Sequence, residues 1–270
     1  MRFSLLLIFT AFLFLSCSEY QKILKSDDAG KKYVYAESLY KEGKYKKALN
    51  LMEQIVPVYR GKPQAEKLMF MYANTFYNME DFYLSGYQFE RFVTTYPKSD
   101  STEFAAYRSA ESYYKLSPKF SLDQKETYQG LEKLQDFINK YPNSQYRVDA
   151  NEKVSELREK LEKKDIEIAR QYLKIVEYTR NYKAAIESFD NFISDHPGSK
   201  YRKDAFFGRL QASYQQAIKS HPSQLKERLI ISKKYYYSFI KYYSDSELKT
   251  DADKILEDID RRLTNKEPSS

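Results

Sequence analysis

The chain has one cysteine, two histidines and no tryptophan in 270 residues, and only Gly 7 and Pro 8. A single thiol excludes a disulfide framework, a cysteine-based zinc site and a Cys-x-x-Cys redox pair. Two histidines leave little for metal catalysis. Glycine and proline together fall well under the roughly 12% of an average chain, which excludes turn-rich sandwiches, barrels and propellers and favours long helices with few connections. There is no GxGxxG, no GxxxxGK[ST] and no HExxH, so phosphate loops and zinc proteases have no support. After residue 17 no stretch approaches eighteen consecutive apolar residues, so nothing there is read as spanning a bilayer.

What is present is apolar enough to fold: 42% hydrophobic and 16% aromatic residues argue against global disorder despite a mean hydropathy of -0.74. The polarity then belongs to helix faces. The net charge of +7 lacks a dense basic stripe, so no nucleic-acid partner is expected.

At the N-terminus Arg2 precedes an apolar run from Phe3 to Leu15, too short for a spanning helix and ended abruptly by Ser16 and Cys17. It reads as an export signal over residues 1–16. Phe14-Leu15-Ser16-Cys17 resembles a bacterial lipobox, although Phe14 stands where leucine is usual. Cys17 is therefore the expected lipidation site; the alternative is a plain signal peptide with an incidental thiol. Several acyl chains on one cysteine make a stable tether where one alone anchors marginally. Residues 17–28 are expected to be a short leash.

Beyond it the sequence repeats. Tyr33, Ala36, Leu39 and Tyr40 recur 37 residues later as Phe70, Ala73, Phe76 and Tyr77, and again as Tyr107, Ala110, Tyr113 and Tyr114. Offsets of three, six and seven describe one face of an α-helix. A second motif ends the partner helices: Phe89-x-x-Phe92 before Tyr96-Pro97-Lys98-Ser99, Leu134-x-x-Phe137 before Tyr141-Pro142-Asn143-Ser144, and Phe189-x-x-Phe192 before His196-Pro197-Gly198-Ser199. Proline stops a helix, and the serine two positions on is expected to N-cap the next. A degenerate copy ends in Tyr243-Ser244-Asp245-Ser246.

Helix pairs with this punctuation resemble tetratricopeptide repeats, with Ala36, Gly43, Tyr45 and Ala48 in the first unit and Ala73, Phe82, Phe89 and Pro97 in the second. The expected fold is all-α: a right-handed α-solenoid of about five such pairs, with a long helix opening the fourth unit and a C-terminal capping helix. The N-terminal repeats are expected over 29–145, the C-terminal repeats over 146–264 and a tail over 265–270. Leu116 to Glu126, containing Pro118, reads as a longer loop inside the third unit. From Tyr146 to about Thr179 there is no Gly or Pro, and Ala150, Val154, Leu157, Leu161, Ile168, Tyr172 and Ile175 recur at helical spacing. This predicts one helix about 50 Å long at 1.5 Å per residue. A break near Lys163 is the alternative.

A lipobox, five irregular units and an overlong helix between the third and fourth together resemble the BamD family of outer-membrane assembly lipoproteins. Leu161, Asp165, Ala169 and Tyr172, then Tyr182-x-Ala184-Ala185-Ile186 and His196-Pro197-x-Ser199, resemble its pattern through the fourth unit. The resemblance implies a non-catalytic scaffold, without a cofactor, on the periplasmic face of the outer membrane. It implies docking on the periplasmic domains of the β-barrel insertase and help in delivering unfolded outer-membrane protein precursors. A periplasmic repeat lipoprotein acting as chaperone or envelope organiser for another partner is the alternative. In the family the N-terminal units are associated with the precursor's targeting strand and the C-terminal units with the insertase. Many members carry an arginine late in the first helix of the fifth unit, where this chain has Gln215 and Gln216 after Tyr214; Arg209 on that helix is the possible substitute.

First helices of such pairs line a groove, which makes Tyr40, Tyr77, Arg108 and Tyr114 the candidate peptide-binding residues, with Arg108 and Lys115 near enough to meet a carboxylate terminus. Packing between helices is the competing role, and the better one for Tyr33, Phe70 and Tyr107. In the C-terminal half Lys200, Arg202, Lys203 and Arg209, with Lys233, Lys234 and Lys241, supply surplus charge beside Tyr235 to Tyr237 and Tyr242; Arg202, Lys203 and Arg209 are the candidate partner-docking residues, and a solvated helix face is the alternative. His196 and His221 each precede a proline at a helix junction and read as structural caps rather than as catalytic or metal-binding groups.

Overall fold

The computed structural model describes residues 19–264. The export signal, Cys17 and the tail 265–270 lie outside the described residues. Within them the chain is helical, with no strand: α1 (Ala29–Lys41), α2 (Tyr45–Tyr59), α3 (Ala65–Asn78), α4 (Phe82–Thr95), α5 (Thr102–Lys115), α6 (Lys125–Lys140), α7 (Arg147–Thr179), α8 (Tyr182–Asp195), α9 (Arg202–Ile218), α10 (Pro222–Tyr243) and α11 (Lys249–Thr264). Five antiparallel-type pairs, α1/α2 to α9/α10, are closed by α11, the tetratricopeptide-like arrangement. Residues 19–24 add a short helical segment. Tyr20 there is only 6% exposed and packs with Ile23 and Leu24 on the first core cluster. The described part of the expected leash is thus docked, because its apolar side chains have a core to cover.

Contacts run between sequence neighbours, and first helices also meet first helices, α1 with α3 and α9 with α11. Ala36, Ala73 and Ala110 permit this approach and are fully buried, while Leu39, Phe76 and Tyr113 fill the space beside them. Polar pairs reinforce it: Asn74 donates to the Tyr40 hydroxyl at 2.5 Å, and Lys67 to Glu37 at 2.8 Å.

The closing motif works differently from the expected cap. Ser99, Ser144, Ser199 and Ser246 each accept a hydrogen bond from the backbone N–H two residues on, at 3.1 Å in all four copies. The serine therefore makes a local turn ahead of the helix, and Ser101 and Tyr201, which occupy the N-cap positions of α5 and α9, make no side-chain cap bond. Ser99 and Ser144 also donate at 2.6 Å to Glu66 and Glu103 near the start of the preceding first helices. One hydroxyl so fixes the turn and ties it to its own pair.

Between paired helices the chain turns through a left-handed residue: Gly43 at φ 72, Glu80 at φ 61 and Arg180 at φ 53. Asp81 and Asn181 then cap α4 and α8 by accepting from Leu84 and Ala184 at 3.2 Å. Glycine adopts this conformation freely, whereas an L side chain is strained there by about 1 kcal/mol. Glu80→Gly should accordingly raise stability by up to about 1 kcal/mol, and Gly43→Ala, whose Cβ would meet nothing, should lower it by about as much. Thermal unfolding of the two variants checks both signs.

The chain forms two compact units, one of residues up to 118 with 123–157, the other of 119–122 with 158 onward. The first holds three apolar clusters, centred on Ala36/Met52/Leu68, on Phe89/Phe92/Ala105 and on Leu134/Phe137/Leu157. The second holds clusters around Ile166/Phe189/Phe192, Phe206/Leu210/Phe239 and Ala217/Leu229/Ile259. The first turns of α7 belong to the first of these units, because Ala150, Val154 and Leu157 pack with the third pair.

The long helix α7 is continuous over 33 residues, with no break at Lys163. Its buried face is not the single stripe expected. Ala150, Val154 and Leu157 are buried, but Ile168, Tyr172 and Ile175, on the same side at 3.6 residues per turn, are 40%, 41% and 36% exposed. Ile166, Ala169 and Val176 are buried in their place, about a third of a turn away.

Candidate partner-binding surfaces

In the first unit the expected groove residues fall into one network and one outlier. Arg108 on α5 lies over the Tyr77 ring, 4.1 Å to its centre, and 4.9 Å from the centre of the Phe104 ring. Its Nη1 donates to Glu111 at 2.9 Å, while its Nε is buried without a partner. Lys153, from α7, donates to Asp149 at 2.6 Å and stands 3.7 Å from Glu111. The same ammonium lies over the rings of Tyr107 and Tyr114, whose hydroxyls donate to Asp149 and Glu156. Tyr77, Arg108 and Tyr114 are thus joined. Tyr40 stands apart, bound to Asn74 and edge-on to Tyr45.

Two cations here face three carboxylates, so Arg108 offers no surplus charge to a carboxylate terminus. Lys115, its ammonium 6.0 Å from the Tyr114 ring centre, brings the count only to three cations against three carboxylates, still with no surplus. The surface suits instead a ligand that donates hydrogen bonds or lays a ring or an extended backbone across the tyrosines. Lys153, Glu111 and Asp149 were not legible as groove residues, because each comes from a charge pattern that also describes a solvated helix. The signal was the repeated Tyr-Arg-x-Asp-Ala: Asp149 binds Lys153, and its counterpart Asp204 binds Arg170 at 2.6 Å.

Burial raises the tyrosine hydroxyls of this network. Burial and then the bond to Asp149 hold Tyr107 far above a free tyrosine, and burial followed by the bond to Glu156 pushes Tyr114 up to about 12. Burial and the charge of Glu90 take Tyr113 to about 12. Folded values above the ordinary one of about 10 mean that the stability tied to these protons is complete below pH about 10 and is lost as pH rises toward 12. An ultraviolet absorbance titration should show exposed tyrosines ionising first and these ionising late, together with loss of helicity; Tyr114→Phe should remove one late proton.

In the second unit the three expected docking cations have different surroundings. Lys203 is engaged by Glu247 at 2.5 Å. Arg209 is only 8% exposed, with Asp190 at 2.5 Å and Ser238 at 3.2 Å, so its charge is engaged within the unit. Its guanidinium lies over the Phe206 and Tyr235 rings, and the pair with Asp190 compensates the burial of its charge. Arg202 is half-buried and stacked 4.9 Å from the Phe206 ring centre. His221 accepts from the Ser223 N–H as N-cap of α10, and His196 closes α8 with Asp165 3.0 Å from its Nε2. Among the described residues no group of His, Cys, Asp or Glu has the arrangement of a metal site, and no helix is long and apolar enough to cross a membrane.

Residues 25–180 match the YfiO family, outer membrane lipoprotein, which covers more than half of the sequence. The chain belongs to this family. The YfiO match runs from the docked N-terminal segment to the left-handed residue after α7, leaving α8 to α11 beyond it. The outer membrane protein assembly factor BamD of Rickettsia prowazekii is 27% identical over 214 residues, 77% of this chain and 82% of that protein. The BamD of Caulobacter vibrioides is 32% identical over 123 residues, 46% of this chain and 39% of its own. The resemblance to the BamD family noted from the lipobox and the repeats therefore holds. A structure of TPR-like repeats from Podosopora anserina aligns over 87% of this chain and 96% of its own at 11% identity and a TM-score of 0.32, too low to bear on fold or function.

Proposed function

We propose that this chain is a non-catalytic scaffold of the outer-membrane β-barrel assembly machinery. It is moored to the periplasmic face of the outer membrane through acylated Cys17, docks on the periplasmic domains of the barrel insertase and helps deliver unfolded barrel precursors. The observation that carries this reading is the family match across α1 to α7, with a BamD relative aligned over most of both chains. The structure is compatible with it: paired helices with tyrosine-rich first-helix faces provide surface for gripping chains, and the polar clusters described above are internally paired. Depletion of the protein should lower the folded level of outer-membrane β-barrel proteins. Wild-type protein isolated from detergent-solubilised membranes should bring the insertase with it; unaltered barrel levels and absence of the insertase would reject the reading. Cys17→Ala should move the protein out of the membrane fraction, and its continued sedimentation with membranes after a salt wash would reject the lipid anchor.

A further inference from the structure

Three cations and three aromatic rings alternate along α9 and α10. The Lys241 ammonium lies 5.3 Å from the centre of the Tyr242 ring, and the Arg202 guanidinium 5.5 Å from that same centre and 4.9 Å from that of Phe206. Arg209 follows, 4.9 Å from Phe206 and 4.3 Å from Tyr235. Spacing explains the order: Arg202, Phe206 and Arg209 share one face of α9, and Tyr235 and Tyr242 are seven residues apart on α10. A ring holds a cation in place without cancelling its formal charge.

The three cations are not equivalent. Arg209 ends on Asp190, and the neighbouring Lys200, Lys203 and Lys233 are paired with Glu159, Glu247 and Asp260. Arg202 and Lys241 have no carboxylate at ion-pair distance among the described residues. The Arg202 Nε is buried and unpartnered, whereas its terminal nitrogens are not buried and make no hydrogen bond there. The guanidinium is thus held against its two rings, with its terminal nitrogens left without a hydrogen-bond partner among the described residues. Tyr242 beside it is 53% exposed.

We propose that Arg202 and Lys241, both held against Tyr242, form a clamp for a carboxylate side chain on an acidic segment of a partner protein. A guanidinium fork matches a carboxylate in two parallel hydrogen bonds, and the exposed ring gives the aliphatic stem of a glutamate a surface to lie on. An anionic membrane is the poorer occupant, because it needs a field of free lysines and Lys200, Lys203 and Lys233 are spent on internal pairs. The site lies at the opening turn of α9, away from Gln215 and Gln216 near the end of that helix. The clamp rests on the reading of this chain as a docking scaffold.

The test uses the full mature chain and a fluorescent glutamate-rich peptide as probe, with an oligolysine peptide and phosphatidylglycerol vesicles alongside. Wild-type protein should bind the acidic peptide in a salt-sensitive way and the other two weakly. Arg202→Gln, which keeps a long polar stem but removes the charge, should weaken binding about tenfold, and Lys241→Ala about threefold. Lys203→Ala should change it less than about twofold, since Lys203 is engaged by Glu247. Helical circular dichroism confirms that each variant is folded, and Lys241→Ala, at an exposed position, keeps the test open should Arg202→Gln unfold. Equal affinity of Arg202→Gln, Lys241→Ala and wild type, an equal loss in Lys203→Ala, or binding of vesicles in preference to the peptide would overturn the clamp. Co-isolation of the insertase by wild-type protein tells the two readings apart: if it persists while the clamp variants bind the peptide normally, only the clamp is lost.

Discussion

Gly208→Ala is expected to lower the stability of the second unit by about 2 kcal/mol, read as a fall in the midpoint of thermal or urea unfolding. Gly208 lies in the middle of α9, where alanine would ordinarily gain about 1 kcal/mol from helix propensity. Here its Cβ would collide with Cζ of Phe189 and stand 2.7 Å from Cε1 of that ring. That ring is 1% exposed and packed with Ile166, Ala169, Phe192 and Ala205, so it has no void to swing into. Overpacking of this kind costs about 3 kcal/mol, which exceeds the propensity gain. Phe189→Leu combined with Gly208→Ala should recover part of the loss. Gly198→Ala is the control, because a Cβ there meets nothing. A Gly208→Ala protein as stable as the wild type would mean that α8 and α9 do not pack as closely as described.

Glu162→Pro should cost about 3 kcal/mol or more, with a loss of helical circular dichroism, while Glu162→Ala should stay within about 0.5 kcal/mol of wild type. Residue 162 is near the middle of α7, in the charged stretch Glu156 to Asp165 that first suggested either a solvated bridge or a break. Proline removes the N–H that continues the helical ladder and its ring collides with the carbonyl four residues back. If the helix were interrupted at Lys163, that N–H would be free and proline would be tolerated. The pair of variants therefore tests continuity itself.

Much of the helix order was readable because helical periodicity and proline punctuation are local. The 37-residue repeat of small and large residues, the pause at 116–124 and the overlong helix all depend on neighbours within a few turns. The candidate surfaces were less legible. Arg108 and Tyr77 did come together, yet Glu111 cancels the charge that made Arg108 attractive. Arg209 and Arg202 lie seven residues apart on one helix and read alike, but Asp190 on α8 and Ser238 on α10 claim only the first. A charge on a helix says nothing about which distant residue will meet it.

By itself the sequence determined the all-helical repeat, the positions where each helix stops and the residues small enough for helices to approach, since these follow from backbone sterics and from spacing along a single helix. Only the tertiary structure decided which face of α7 is buried after Leu157, that the repeated serines shape turns instead of capping helices, and which cations remain open. Those outcomes depend on what packs opposite each residue, and partners tens of residues away in the chain leave no periodic trace where they are needed.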